Sequence, residues 1–337
     1  MTGPLTDVRV LDLTSGIAGP VAGMLLADLG ASVIRIHERG TTQSEHPLSF
    51  HVWNRNKRLV ACEPGDQDFV GELIGLSDVV LVGTCPGPFT YRRLLATGQA
   101  RSSATWVVMP PYTLRSAPWA RETESPGLVF ASLGHAWSQA SYSDIPVDCV
   151  YPLSSIMQGI WAAAVAVAAL VGNVRRTLGP RTYVIGGAHA GVLMSPTNCA
   201  VRRTDDQSHR PGGPGGPLPT YRCYRCGDGE WIFLGAFTGA FIRRALNAIG
   251  APHILSDPRV NGDPKRIRRP ENFAWIVDEL ERIFLTRTRQ EWIQIVEQAD
   301  VPIAPVLNSE AWLDHQQVGL TQTQECNVDS RLIVAMR

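Results

Sequence analysis

Basic and amide side chains cluster where the sequence predicts the ends of β-strands. Arg35 lies near the end of the second predicted strand, Asn54-Arg-Asn-Lys-Arg58 leads into the third, and Arg92 follows the fourth. Open parallel sheets bind ligands outside the carboxyl ends of their strands, and cationic side chains are the usual partners of phosphate. A polyanionic small molecule is therefore the predicted ligand of Arg35, Asn54, Lys57, Arg58 and Arg92. Each of these side chains taken alone is also typical of a solvated loop surface.

Two adjacent serines open an uncharged apolar run that continues to Leu170. A serine hydroxyl can act as a nucleophile, but its pKa lies far above 7 and it needs a neighbouring base. Ser155-Ile-Met-Gln158 also matches the capping box, in which the serine caps a helix and the glutamine reaches back to it. Gly172 fits the residue that follows such a helix. The sequence thus predicts Ser155 as the N-cap of a buried helix and leaves open whether its hydroxyl also touches a ligand.

The pair Cys223-x-x-Cys226 raises the question of a metal site. A structural zinc needs four ligands, and no second C-x-x-C or H-x-x-x-H accompanies this pair. We therefore expect no metal, and we interpret the two cysteines as small apolar residues beside a hairpin turn at Cys226-Gly-Asp-Gly229.

An alternation of strands and helices must position these groups. Strand-like runs at 7–13 and 31–36 flank a helix that has Pro20 near its start and Gly30 at its end. Strands rich in β-branched residues alternate with helices as far as residue 109, which predicts an open parallel sheet. Further strands and helices are predicted at 59–62, 66–76, 78–82, 106–109, 231–234, 241–249 and 271–285.

A dinucleotide is a weaker candidate for the polyanion. Gly16, Gly19 and Gly23 lie between the first strand and helix, and Glu38 follows the second strand where a ribose-binding acid would be. However, the glycine spacing differs from G-x-G-x-x-G, and the sequence has no G-K-[ST] phosphate loop.

Composition limits the classes of protein further. The 337 residues are 44% hydrophobic, which predicts two domains with buried cores, and 31 Lys and Arg balance 31 Asp and Glu. Such a balance gives no positive field for nucleic acid. Seven cysteines without a paired framework, and no basic-then-apolar leader, predict reduced thiols in the cytoplasm. The apolar run at 156–171 is shorter than a membrane span, so we expect a buried helix and no membrane partner.

Several motifs in order along the chain resemble one known family. They are Val8-Arg-Val-Leu-Asp-Leu13, Ala18-Gly-Pro20, the segment 25–36, Asn54-Arg-Asn-Lys-Arg58, Pro86-Gly87 and Asp228-Gly-Glu-Trp231. Together they look like the family III coenzyme A transferases (CaiB/BaiF type), which include α-methylacyl-CoA racemases. The similarity extends from about residue 5 to 325, nearly the whole chain.

This resemblance implies an α/β fold with a Rossmann-like large domain, an inserted smaller α+β domain and an interlocked homodimer. We expect the first part of the large domain at 1–200, a linker at 201–220, the small domain at 221–300 and the return to the large domain at 301–337. Glycine and proline at the density of 210–219 cannot continue a helix or a central strand. A glycine-rich loop covers the active site in relatives, and Gly212 and Gly213 would correspond to it. A flexible linker is the alternative interpretation.

The resemblance also gives Ser155 a catalytic context. Transferases of this family use an aspartate at the start of the buried helix, which attacks the acyl thioester and forms a mixed anhydride. An ungapped match places Ser155 at this aspartate. A serine ester lacks the energy of an anhydride, so returning the acyl group to a thiol would be uphill. Ordinary transferase chemistry is therefore disfavoured.

The racemases of the family use a histidine and an aspartate to move the proton next to the thioester carbonyl. The same match places Pro126 at the histidine, Ser155 at the aspartate and Thr238 at a further carboxylate. His135, Asp144 and Asp148 lie nearby in sequence and are candidates for a displaced acid or base, although each is also typical of an ordinary loop residue.

The sequence therefore predicts a divergent family III protein that binds coenzyme A, an acyl-CoA or a related pantetheine thioester. Its chemistry on the acyl group is expected to be neither transfer nor racemisation, with Ser155, Thr238 and His135 as the candidate catalytic residues. A non-catalytic binding or scaffold protein is the alternative, and an NAD-dependent oxidoreductase is a more distant one.

Overall fold

The computed structural model describes residues 3–38, 47–63, 65–84, 89–101, 103–113, 125–139, 141, 143, 145–174, 181–194, 214–317, 323–328 and 331–336. The contacts between Cα atoms divide the chain into two compact units. The large unit consists of Met1–Trp137, Asp148–Arg203 and Thr323–Arg337, and the small unit of Ser138–Val147 and Thr204–Gln322.

A six-stranded parallel sheet forms the centre of the large unit. Its strands are β1 (Arg9–Asp12), β2 (Ser32–Glu38), β3 (Arg58–Cys62), β4 (Val79–Gly83), β5 (Thr105–Met109) and β6 (Thr182–Val184), in the spatial order β3-β2-β1-β4-β5-β6. The predicted parallel sheet is confirmed. The order reverses between β1 and β4, and such a switch point opens a crevice at the carboxyl ends of the strands.

Helices cover both faces of this sheet. They are α1 (Ala18–Asp28), α2 (Pro47–Trp53), α3 (Gln67–Gly75), α4 (Tyr91–Ala96), α5 (Pro126–Ser132), α6 (His135–Ser138), α7 (Leu153–Val174) and α8 (Gly187–Met194). Alternate strand residues such as Val10 and Val33 pack with α1 and α7, whereas Leu11 and Val80 pack with α3 and α4. This period of two, with both faces apolar, is what a buried parallel strand requires.

Gly30 ends α1, as the sequence predicts. It adopts a φ of +99°, which places it in a region that favours glycine. The Gly30 amide donates to the Ala27 carbonyl and the Ala31 amide to the Leu26 carbonyl, which is the Schellman pattern at a helix end. The sharp turn leads the chain directly from α1 into β2.

The long apolar helix α7 differs from its sequence prediction at both ends. It begins at Leu153, before Ser155, and continues past Gly172 to Val174, so neither residue caps it. By length and composition it could cross a membrane, since residues 153–173 have a mean hydropathy of 1.8. It packs, however, on α1 and α8. A Cβ atom at Gly159 would lie 2.5 Å from the Ala18 carbonyl oxygen, so the two helices approach closely at this glycine.

The small unit contains an antiparallel sheet of β7 (Tyr221–Arg225), β8 (Trp231–Gly235) and β9 (Ile303–Val306). Its helices are α9 (Gly239–Ala248), α10 (His253–Ser256), α11 (Pro270–Phe284), α12 (Arg289–Gln298) and α13 (Ser309–Leu313). The core is aromatic, with Tyr224 stacked on Phe284 and Trp292 packed edge-on against the same ring. The hairpin predicted at Cys226–Gly229 is confirmed as the turn between β7 and β8.

The return of the chain to the large unit lies later than the sequence suggests. The sequence predicts residues 303–306 in the returning segment, but they pair with β8 as strand β9 of the small sheet. Backbone pairing with a strand some 70 residues earlier is not visible in the local sequence. The segment that belongs to the large unit starts at Thr323 and contains the hairpin β10 (Thr323–Val328) and β11 (Arg331–Met336).

Candidate functional site

Asp12 lies at the carboxyl end of β1 and is fully buried. Its carboxylate accepts hydrogen bonds from the Thr14 amide at 3.1 Å and the Thr14 hydroxyl at 2.6 Å. It also accepts from Arg35 Nη1 at 3.0 Å and lies 3.5 Å from Lys57 Nζ. A buried carboxylate is stable only when it is paired and hydrogen-bonded in this way. We call Asp12, Arg35, Lys57 and Asn54 the Asp12 cluster.

The ammonium group of Lys57 is buried and interacts with groups of the protein. The side chain is fully buried, and Nζ donates to the Pro20 carbonyl at 2.8 Å and to Asn54 Oδ1 at 3.2 Å besides contacting Asp12. Asn54 is held in turn by its Nδ2, which donates to the Phe50 carbonyl at 2.9 Å. The sequence predicts that Lys57 and Asn54 contact a bound polyanion directly. In the structure they instead surround the buried carboxylate of Asp12, whose charge requires a cation beside it.

Two further residues of the basic motif bind the end of α1. The Arg55 guanidinium and the Asn56 amide both donate to the carboxylate of Asp28. Arg58 and Arg92 are exposed, at the start of β3 and in α4. Of the basic residues predicted to meet a phosphate, these two present their side chains to solvent.

Burial and charge shift the titration of the Asp12 cluster. Burial opposes ionisation of Asp12, but Arg35, Lys57 and the Thr14 hydrogen bonds outweigh it, so the pKa of Asp12 is lowered. Burial lowers the pKa of Lys57 to about 8, and the attraction of Asp12 offsets only part of this effect. The cluster thus contains an ammonium group that can lose its proton close to neutral pH.

Two polar atoms on β2 remain without a partner in the described part of the chain. Arg35 is only 7% exposed, and its Nε atom is buried without a hydrogen-bond acceptor. The Nδ1 atom of His37 is also buried and has no hydrogen-bond partner. Residues 35 and 37 lie on the same face of the strand, at its carboxyl end. Buried polar groups are normally satisfied, so these two atoms have hydrogen-bonding capacity that the described residues do not use. His37 is not among the residues predicted from the sequence, although alternate polar residues at the end of a buried strand could have indicated it.

The glycines after β1 have packing roles. A Cβ atom at Gly19 would lie 1.7 Å from Oγ1 of Thr14, and one at Gly23 would lie 3.0 Å from Nζ of Lys57. Both glycines therefore make room for side chains of the Asp12 cluster and its neighbour Thr14. This packing explains the glycines without a dinucleotide.

Ser155 is the third residue of α7 and is 5% exposed, next to Ser154 at 2%. The first turn of this helix contains no acidic residue. The predicted capping box is wrong, because Gln158 Nε2 donates instead to the carbonyls of Pro110 and Ile185, at 2.9 Å and 2.6 Å. These carbonyls directly follow β5 and β6. Gln158 thereby fixes the start of α7, with both serines, at the carboxyl ends of the strands.

The candidate acids and bases near Ser155 in sequence have other surroundings. His135 is buried in α6, its Nε2 lies 3.1 Å from the Gly191 carbonyl oxygen, and its ring packs against Phe130. Pro126 is the first residue of α5, and the exposed Asp148 lies beside Gly127 of that helix. Asp144 lies outside the described residues. The contacts of His135 are those of a core residue, and its catalytic role stays a prediction.

In the small unit, Thr238 is the N-cap of α9. Its hydroxyl accepts from the Phe241 amide at 3.3 Å, and the residue is exposed. From the sequence, Thr238 is predicted only as the replacement of a carboxylate. Its capping role was not predicted, although a threonine directly before a helix could have indicated it. Gly212 and Gly213 lie outside the described residues, so their role over an active site stays a prediction.

The two cysteines of the small unit belong to the hairpin. Burial raises the pKa of Cys226 to about 11 and also raises that of Cys223. A thiol whose pKa is raised in this way is a weak nucleophile near neutral pH. Among the described residues, no group of three His, Cys, Asp or Glu side chains could hold a metal ion.

Comparisons with known proteins give this arrangement a family. A probable fatty acyl-CoA transferase, Rv3272 of Mycobacterium tuberculosis, is 26% identical over 325 residues, which cover 87% of this chain and 80% of that protein. The succinyl-CoA–D-citramalate CoA-transferase of Chloroflexus aurantiacus is 27% identical over 273 residues, covering 76% and 67%. A crystal structure of Rv3272 superimposes with a TM-score of 0.80 at 21% identity, covering 100% of this chain and 92% of that one, and shares the fold.

The sequence profile of CoA-transferase family III matches residues 5–326, which is almost the entire chain. That match agrees with the parallel sheet, the switch point and the order of the motifs. The chain belongs to CoA-transferase family III.

Proposed function

We propose that this protein binds an acyl-CoA or a related pantetheine thioester and carries out chemistry on the acyl group other than CoA exchange or racemisation. The observation that carries this proposal is the first turn of α7, which holds two buried serines and no carboxylate. A hydroxyl there can hydrogen-bond a thioester carbonyl but cannot form a mixed anhydride. Isomerisation, elimination and cyclisation of the bound acyl group are reactions that need no anhydride.

The carboxyl edge of β2 supports binding of the CoA portion. The unpartnered Nε of Arg35 and Nδ1 of His37 can hydrogen-bond a ligand there. Arg58 begins β3, where it pairs in register with Ile34 of β2, and its side chain is exposed. We assign Arg58 and Arg92 to the phosphates and Arg35 to the inner wall of the pocket. Lys57 and Asn54 support Arg35 through Asp12.

The alternatives have less support. The named relatives are transferases, so a purely non-catalytic role finds no support in them. The packing of Gly19 and Gly23 against Thr14 and Lys57 removes the sequence argument for a nicotinamide dinucleotide.

We further propose the assembly that the family resemblance implies, with a small domain inserted into the large one and two interlocked chains. Apolar side chains on and before α7 support it, because Val150 is 88% exposed, Tyr151 67% and Ile160 44%. Apolar residues exposed in this number in one segment are typical of an interface. We place the homodimer in the cytoplasm, in agreement with the free thiols of Cys62, Cys149, Cys223 and Cys226.

Calorimetric titration with coenzyme A, acetyl-CoA and NADH tests the binding proposal. We expect both coenzyme A compounds to bind and NADH not to bind. Arg58→Ala and Arg92→Ala should each weaken binding by about 1–3 kcal/mol, because charge-assisted hydrogen bonds to phosphate are lost. Products of a panel of acyl-CoA thioesters, followed by mass spectrometry, then identify the reaction.

Arg9→Ala is the matched control for these variants. Arg9 begins β1, at the amino end of that strand, where it pairs with Asp78 at 3.3 Å. Its loss should leave coenzyme A binding unchanged. If the wild-type protein binds no coenzyme A, or if Arg9→Ala weakens binding as much as Arg58→Ala, the assignment of this pocket fails.

A further inference from the structure

Arg222 in the small unit is a buried cation without an anion. It lies on β7, is 7% exposed, and shares the inner face of the strand with Tyr224. Its Nε and Nη1 are buried and have no hydrogen-bond partner. In the part of the chain that the structure describes, no carboxylate forms an ion pair with this guanidinium. Arginine is almost never fully buried unless it is paired.

Glycine backbone and aromatic rings surround the guanidinium. A Cβ atom at Gly215 would lie 2.3 Å from Nη2, and one at Gly216 would lie 2.4 Å from Cβ of Arg222. The rings of Tyr224 and Phe273 have their centroids 5.8 Å and 5.4 Å from Cζ. The Cys223 amide donates to the Gly215 carbonyl at 2.8 Å, which holds the glycine segment beside β7.

These surroundings leave the charge of Arg222 only partly compensated. Aromatic rings attract a cation, but they offer no lone pair in the plane of the guanidinium for Nε and Nη1. Leaving such donors buried and unbonded is strongly unfavourable, and an anion beside them would remove that penalty. The side chain is thus prepared for an acceptor that the described residues do not provide.

We propose that Arg222, together with Gly215 and Gly216, forms a binding site for the carboxylate of a small organic acid within the small unit. One planar guanidinium matches the two oxygens of one carboxylate in geometry and in charge. A phosphate dianion would keep an excess charge next to Tyr224 and Phe273. Gly215 and Gly216 carry no side chains, so only backbone atoms lie against the guanidinium on this side.

The residues of this site belong to the small unit, whereas those assigned to the coenzyme A pocket belong to the large unit. The test of this site therefore uses the full-length protein without any thioester. Thermal unfolding is followed in sodium acetate, sodium phosphate and sodium chloride at equal ionic strength. We expect a saturable rise of Tm in acetate that exceeds the change in the other two salts, because a ligand of the native state stabilises it.

Arg222→Met keeps the length of the side chain and removes the charge. We expect this variant to unfold in chloride at a Tm no lower than that of the wild type and to lose the acetate response, with an apparent Kd at least tenfold higher. Arg222→Lys keeps the charge without the planar fork and should retain a weaker response. Arg225→Met, at the exposed end of the same strand, is the matched control and should respond as the wild type does.

Three results would overturn the proposal. A phosphate response equal to that of acetate would assign the site to a different anion. An acetate response that survives in Arg222→Met would place the binding elsewhere. A Tm of Arg222→Met several degrees below that of the wild type in chloride would show that the guanidinium already has an internal partner. Each of these results leaves the coenzyme A proposal unaffected.

Discussion

Ser155 occupies a place where a helix and a parallel sheet together create a polar site. The start of α7 lies beside the carbonyls that follow β5 and β6, held by Gln158. The first amides of a helix lack intrahelical acceptors and favour negative charge. A serine in this position can donate a hydrogen bond or accept one, but it brings no charge. A serine at position 155 therefore offers a thioester different chemistry from that of an aspartate at the same position.

We predict that no acyl group becomes attached to Ser155. The described structure pairs no base with its hydroxyl, and an ester formed there could not readily return the acyl group to a thiol. Intact-mass and peptide analysis after incubation with acetyl-CoA and succinyl-CoA should show unmodified protein, and isotope exchange between free acids and CoA should be absent. An adduct on Ser155 would make this residue a working nucleophile and contradict the proposal.

Ser155→Asp tests the same position in the opposite direction. An aspartate in the first turn of α7 is stabilised by the helix dipole and restores the carboxylate that the family resemblance places there. We expect this variant to gain measurable CoA exchange. Ser154→Asp, one residue earlier and equally buried, is the control and should gain none. Equal activity in the two variants would show that position 155 has no special relation to the acyl group.

Thr238 provides a prediction about stability. Its hydroxyl accepts from the Phe241 amide and caps α9, so Thr238→Ala should lower the free energy of unfolding by about 1 kcal/mol. Thr238→Ser keeps the cap and should behave almost as the wild type in urea titrations. If both variants were equally stable but differed in turnover, the hydroxyl would act mainly on a ligand.

At the scale of elements, the Asp12 cluster joins β1, β2 and α1 with the loop before β3. Arg35 comes 23 residues after Asp12 and Lys57 comes 45 residues after it, yet both contact one carboxylate. The sheet register places Asp12 opposite Arg35, which explains the first contact. Gly23 and the Pro20 carbonyl accommodate Lys57 and explain the second. The cluster therefore fixes α1 and the N-R-N-K-R motif around the proposed pocket.

Lys57 should titrate far below an ordinary lysine. Burial lowers its pKa to about 8 from 10.5, so between these values the unfolded chain binds a proton that the folded chain lacks. The free energy of unfolding is therefore highest, as far as Lys57 is concerned, above about pH 10.5. It decreases as the pH falls from there to about 8. The change is on the order of 3 kcal/mol in the free energy of unfolding.

Lysine-specific ¹³C labelling measures this directly, because the sequence has only two lysines, Lys57 and Lys265. Lys265→Arg assigns the two signals. We expect the Lys57 signal to shift near pH 8, and to shift at a still lower pH in Asp12→Asn, since Asp12 raises the pKa of Lys57. A Lys57 signal that titrates near the ordinary lysine value would show that the ammonium group reaches water.

At the scale of the whole molecule, two compact units are built from segments that alternate along the chain. The large unit exposes apolar side chains at Val150 and Tyr151 and along α7. A helix of this hydropathy is stable in water when a partner covers its exposed face.

We predict an obligate homodimer. Sedimentation velocity at nanomolar concentration should show a dimer and no folded monomer, because interlocked chains separate only on unfolding. Ile160→Asp should prevent folding of the dimer, whereas Val184→Asp, on the exposed edge strand β6, should leave the mass unchanged. A stable folded monomer in the wild type would refute the interlocked assembly.

The sequence by itself determined the alternation of strands and helices in the first part of the chain, the parallel sheet, the small-unit hairpin and the family. The elements, the sheet and the hairpin depend on apolar periodicity and glycine stops, which are encoded within some ten neighbouring residues. The family depends on the order of motifs along nearly the whole chain. Tertiary structure alone decided that Lys57 and Asn54 support Asp12, that Gln158 binds Pro110 and Ile185 in place of capping with Ser155, and that Arg222 is buried. These outcomes depend on which groups become neighbours after folding, and the free energy of a buried charge or amide depends on those neighbours rather than on its position in the sequence.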